Sequence, residues 1–179
     1  MIYVPFHELC PDVAERETRS IIVLPTAKSD VPAGEYQFTE MYCSAPACDC
    51  RRVFWSVFSS TQQQVEAVIA WGWEDRAFYA RWLGMNDADM TKEMQGPVLN
   101  VGSPQSRIAG ALLELARKRL LVDPSYVARI KRHYALFRSK IDERAPQGQK
   151  PGPKLRPGDI RKSIWRAALK GVGGPPGHR

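Results

Sequence analysis

The stretch EMYCSAPACDCRRVFWSV, residues 40–57, places Cys43, Cys48 and Cys50 within eight positions and follows them with Arg51 and Arg52. The chain has four cysteines in 179 residues, so three quarters of its thiols sit in one short segment. Thiolates are soft ligands, and zinc favours four thiolates or imidazoles in a tetrahedron. The four residues between Cys43 and Cys48 include Pro46 and let the chain turn back, so the three sulfurs can converge. A tetrahedron needs one more ligand. The remaining cysteine is Cys10, in FHELCPD, with His7 three residues before it. The expected site is therefore one structural zinc per chain on Cys10, Cys43, Cys48 and Cys50, with His7 as the alternative or as a neighbouring partner.

Two other chemistries compete for the same residues. Arg51 and Arg52 would lower the pKa of a nearby thiol, which suits redox chemistry or nucleophilic attack. Their plainer reading is a solvated strand edge. Cysteine also packs well as a small apolar residue, although three in eight positions beside acids and arginines is poor core composition. Catalytic zinc is disfavoured, because four sulfurs would close the site and quench its Lewis acidity. Asp49 lies between two ligands, where it is poorly placed as a base. His7, His133 and His178 suggest no triad, and His133, among Lys131, Arg132 and Tyr134, reads as surface or core edge.

The elements that must position these groups are legible from periodicity. GEYQFTEMYC (34–43) alternates, with Tyr36, Phe38 and Glu40 on one side and Gln37, Thr39 and Met41 on the other. RRVFWSVFSS (51–60) sets Val53, Trp55 and Val57 against Phe54 and Phe58, and QVEAVIAWGW (64–73) is a third β-branched run. Short polar links between them predict an antiparallel meander, with RSIIVLP (19–25) as a short buried strand. EDRAFYARWLG and NDADMTKEMQGP then read as short helices stopped at Gly84 and at Gly96-Pro97. The segment 103–121 predicts a helix with Ser103 as N-cap and Pro104 at its first position, its apolar face being Ile108, Leu112, Leu115 and Ala116. A last helix opens at Asp123-Pro124-Ser125, with Val127, Ile130, Tyr134, Phe137 and Ile141 as a stripe for the core or, alternatively, a homodimer seam. The expected fold class is α+β: an antiparallel sheet of about three strands packed by about four helices, with the cysteine site at the sheet edge. Trp55, Trp71, Trp73, Phe78, Tyr79 and Trp82 fit packing between those layers, or the rim of a small-molecule pocket.

The run YCSAPACDCRRV, with HELCPDVAERETR and DPSYVARIKRHYALFR, resembles a family of uncharacterised bacterial proteins over roughly residues 1–143. Some members of that family end in a small cysteine-rich SEC-C type metal motif, whereas this chain has no cysteine after Cys50. The resemblance implies one ancestral domain with a cysteine site and attaches no reaction to it.

Charge divides the chain at residue 144. Residues 145–179 carry eight Lys and Arg against Asp159 alone, which accounts for the whole net charge of +7. The organisation expected is a zinc-binding domain over 1–144 and a flexible basic Pro/Gly-rich tail over 145–179, with DIRKSIWRAALKG as a short helix within it. Lys150, Lys154, Arg156, Arg161, Lys162 and Arg166 are the candidate contacts to DNA or RNA phosphates, and binding through them would be salt-dependent. The weaker alternatives are a partner protein or an anionic membrane surface. No apolar run reaches the roughly 20 residues of a membrane span. The N-terminus has no secretion-signal pattern, so the expected compartment is the reducing cytoplasm, where cysteines serve as ligands or reactive thiols. Together these features predict a non-enzymatic zinc-binding domain that engages a partner, nucleic acid first, through its tail. The alternatives are a thiol-redox protein or enzyme using Cys43, Cys48 and Cys50, and a protein-interaction module with an incidental tail.

Overall fold

Period-two alternation builds the centre of the molecule. In the computed structural model, which describes residues 3–26 and 28–144, the three alternating runs form strands β3 (Gly34–Cys43), β4 (Arg52–Ser59) and β5 (Gln64–Gly72). They pair antiparallel, with Glu40 opposite Trp55 and Trp55 opposite Ile69. Three short strands extend the sheet: β1 (Tyr3–Pro5) and β2 (Arg19–Val23) share the free edge of β3, and β6 (Val98–Leu99) joins β5. The helices are α1 (Phe6–Leu9), α2 (Pro11–Glu17), α3 (Arg76–Leu83), α4 (Ala88–Gln95), α5 (Ala109–Leu115) and α6 (Pro124–Arg144). The six cations singled out in the tail lie outside the described residues.

The α+β class therefore holds, but the counts of about three strands and four helices are overturned by six strands and six α-helices among the described residues. The missed elements β1, β6, α1 and α2 are two to seven residues long, too short for a period to register. The strand β2 is an edge rather than a buried strand, leaving Ile22 exposed. The helix expected from Ser103 begins instead at Ala109. Gln105 explains the delay: its Nε2 donates to the carbonyls of Val68 and Asn100, and its Oε1 accepts from the Val68 N–H. These bonds tie the preceding loop to β5 before the helix can start. The helix then loosens into a π-helical stretch, Ala116–Leu120, where the Leu121 N–H reaches the carbonyl of Ala116.

One face of the sheet carries the main core. Tyr36, Phe38, Tyr42, Val53, Trp55, Val57 and Ile69 are buried there against Ile130 and Phe137 of α6 and Leu112 of α5. Of the stripe on α6, Ile130, Tyr134, Phe137 and Ile141 pack into this core. The opposite face holds a smaller cluster around Phe54, Val68 and Ala70. The helices α3 and α4 pack on each other through Tyr79, Leu83 and Met94. Asp75 caps α3 by accepting from the Phe78 N–H at 2.7 Å, and Gly84 ends it at φ 71°. Gly72 has to be glycine, because a Cβ there would meet the Tyr79 hydroxyl at 2.1 Å. That close approach lets Tyr79 donate to the carbonyl of Arg51 at 2.9 Å, which ties α3 to the end of the cysteine loop. No helix among the described residues is long and apolar enough to cross a membrane.

Candidate metal centre

The turn between β3 and β4 brings the sulfurs together. Cys43 ends β3, Cys48 and Cys50 lie in the loop, and Arg52 begins β4. Inside the loop the Cys48 N–H donates to the Ala45 carbonyl, and the Ala45 N–H donates to Cys43 Sγ at 3.4 Å. Two non-glycine residues beside thiols, Ala47 at φ 54° and Arg51 at φ 47°, take the left-handed conformation. Such conformations cost about 1–3 kcal/mol each and persist where the surroundings enforce them. The result is that Sγ of Cys43, Cys48 and Cys50 all lie within 4.8 Å of one another.

The face of α6 that meets this loop holds it in place. Arg138 Nη1 donates to the carbonyls of Cys43 at 3.1 Å and Ala45 at 2.8 Å, and its Nη2 donates to Asp142 Oδ1 at 2.6 Å. One turn back, the Tyr134 hydroxyl lies 3.4 Å from the Cys48 carbonyl and 3.4 Å from the Arg51 N–H. Asp142 accepts from the Ala47 N–H at 3.4 Å. Residues 134, 138 and 142 are four apart, so a single helix face carries the whole clamp.

Thiol electrostatics follow from the convergence. The neighbouring S–H groups of Cys48 and Cys50 donate toward Cys43 and hold its thiol far below the usual range, assisted by the Ala45 N–H and the Arg138 charge. The same bonds push Cys48 and Cys50 upward, as does burial. On the β1 side Tyr3 pairs with Cys43. Burial first, and then the nearness of Cys50, hold the Tyr3 phenol well above its usual value. Cys43 and Cys50 are buried while Cys48 is partly exposed and borders an open cleft of about 400 Å³.

Neither candidate for the fourth ligand joins this group. Cys10 is buried at the junction of α1 and α2, where burial pushes its thiol upward against the charges of Lys140 and Arg144. His7 is exposed and lines a separate cleft with Glu15 and Gln37. The distance in sequence between Cys10 and the loop hid this arrangement. Arg52 departs from its reading as a solvated edge: it is buried, donating to the Glu93 carbonyl and to Met94 Sδ, each at 3.2 Å. Arg51 stays partly exposed between Asp49 at 2.9 Å and Glu74 at 3.2 Å.

A second polar cluster was missed. His133 is fully buried, not surface or core edge. Its Nδ1 lies 2.7 Å from Glu40 Oε2, its Nε2 lies 3.1 Å from Glu17 Oε2, and its ring stacks on Phe6 at 4.4 Å. The Tyr42 hydroxyl lies 2.8 Å from the same Glu40 oxygen and 3.1 Å from the Ile130 carbonyl. Arg132 closes the outer end on Glu17. Beside this chain, Trp55 Nε1, the Tyr126 hydroxyl and Arg129 Nε and Nη2 are buried without a hydrogen-bonding partner among the described residues. The guanidinium of Arg129 lies 4.5 Å from the Tyr126 ring centroid. The signal in the sequence was Glu40 itself, a carboxylate on the buried parity of β3 that required a partner.

Searches against protein-family models, curated proteins and solved structures return no match for this chain.

Proposed function

We propose that this chain is a metal-binding domain in which Cys43, Cys48 and Cys50 hold one zinc ion at the turn between the interior strands β3 and β4 rather than at a sheet edge, and that the ion serves structure rather than turnover. The observation that carries this reading is the convergence of three sulfurs within 4.8 Å on a turn clamped by α6. Soft thiolates select zinc among the common divalent ions, and ligation would replace the mutual S–H bonds by metal–sulfur bonds of about 2.3 Å. The ion would fasten the end of β3 to the start of β4. The working surface in this reading is the basic segment 145–179, with nucleic acid as the partner. X-ray absorption at the zinc edge of the purified full chain tests the centre. Three sulfur neighbours are expected, and a shell of oxygen and nitrogen alone would refute it. Removing residues 145–179 should abolish a salt-sensitive mobility shift with DNA or RNA while leaving the metal in place.

A thiol-redox reading draws on the depressed Cys43 thiol. The arrangement favours it less, because the acidic thiol is the one buried at 0% exposure and the accessible one, Cys48, is pushed upward. A reactive cysteine needs thiolate character and access in the same sulfur.

A further inference from the structure

Three protein sulfurs leave a tetrahedral zinc one ligand short, and no fourth Cys, His, Asp or Glu among the described residues joins the group. The cleft shows where that ligand can enter. It is lined by Cys48 but by neither of the other two thiols, and it continues past Ala47, Asp49, Arg51, Tyr134, Ala135, Arg138 and Asp142. Its volume of about 400 Å³ suits a small molecule or a single inserted side chain.

Charge decides which donor fits. Three thiolates around a divalent ion carry a formal charge of −1, and a fourth thiolate would make it −2. The lining offsets only part of that, through the Arg138 charge that bears on Cys43. Its two arginines are already committed, Arg138 to Asp142 and Arg51 to both Asp49 and Glu74. Backbone support for the sulfurs is slight, from the Ala45 N–H to Cys43 and from the Cys50 N–H to Cys48. A neutral nitrogen donor adds no charge, needs no deprotonation at neutral pH, and suits zinc as well as sulfur does.

We infer that the three-cysteine centre is open on its Cys48 side and takes an imidazole-type nitrogen donor from outside residues 3–144, entering through the cleft between the cysteine loop and α6. The inference rests on the metal reading above. Two sources share this chemistry: a histidine or imidazole ligand of another molecule, and His178 of this chain, which follows the end of α6 by 34 residues. Asp142 and Arg138, in the last turns of α6, line the cleft, so the chain leaves the described domain beside the site.

The test uses the full chain loaded with cobalt(II), whose visible spectrum reports its ligands, with metal stoichiometry followed by native mass spectrometry. Imidazole is titrated into the wild-type chain and into His178→Gln. A saturable spectral change in both, at constant stoichiometry, supports an open position filled from another molecule. A change in His178→Gln alone supports His178 as the resident donor. No change in either, with cobalt bound, overturns the inference while leaving the metal reading intact. Failure to bind cobalt at all sinks both. Ala135→Trp places bulk at an exposed lining position and should weaken imidazole binding to His178→Gln at least tenfold without loss of cobalt; unchanged binding would remove the cleft as the route.

Discussion

Two clusters of ionisable side chains start three residues apart on β3, and they are completed to different degrees. From Glu40 the chain of contacts runs through His133 to Glu17 and ends on Arg132 at the surface, with Tyr42 donating from the side. From Cys43 three sulfurs converge, and no further ligand from residues 3–144 completes them. The first cluster uses its bonding capacity to fasten α6 and α2 to the sheet. The second leaves Cys48 lining a cleft. A buried polar chain that closes on itself is a part of the fold, whereas three convergent sulfurs could hold a metal ion. Cys10 sharpens the contrast, since the same residue type away from the turn is packing only.

The largest effect expected from breaking this contrast is on the sulfurs. If metal is present at roughly a thousand times its dissociation constant, it stabilises the fold by about 4 kcal/mol. For a domain of this size that corresponds to about 8–16 °C in Tm. Cys43→Ser or Cys50→Ser should lose the ion and this increment together, read by native mass spectrometry and by thermal melts with and without zinc. His133→Ala comes next. It leaves Glu40 buried without its imidazole, a loss of about 3–5 kcal/mol by denaturant titration, with metal stoichiometry unchanged. Cys10→Ala should cost about 1 kcal/mol and leave the metal in place. A metal loss there would move Cys10 into the centre.

The smallest effect is at acid pH. Burial alone would raise Glu17, but the hydrogen bond from His133 and the charges of Arg132, His133 and Arg129 outweigh it and hold the carboxyl below its ordinary 4.5. A depressed folded-state value favours the carboxylate in the native protein. Its contribution is therefore present above pH 4.5 and disappears as pH falls through the depressed value. Glu17 is partly exposed, so the contribution is at most about 1 kcal/mol. Glu17→Gln should flatten the acid limb of denaturation midpoint against pH, and an unchanged limb would remove Glu17 from the ion chain.

What the sequence revealed and what it hid divide along the same line. The alternation of Tyr36, Phe38, Glu40 and Tyr42 gave β3 its buried face, and the loop from Cys43 to Cys50 is local enough for its turn to be read from spacing. Pairings between distant segments were out of reach. Whether Cys10 meets the loop depends on how α1 and α2 pack, and neither helix is long enough to show a period. His133 follows Ile130 by three and precedes Phe137 by four, so it belongs to the buried side of α6. Its flanking Lys131 and Arg132 disguised that position, and Glu40, 93 residues earlier, was the partner that would have exposed it. Arg52 was misread for a similar reason, because α4, which covers it, is placed by Gly72 and Tyr79 rather than by anything near Arg52 in sequence.

The measurement that tests the central claim most directly is metal content by native mass spectrometry of the full untagged chain, beside single serine variants of all four cysteines. One zinc per chain is expected, retained in Cys10→Ser and lost in the variants at positions 43, 48 and 50. A metal-free wild-type chain after purification with zinc present, or a metal lost in Cys10→Ser as readily as in the other three, would contradict the three-sulfur centre.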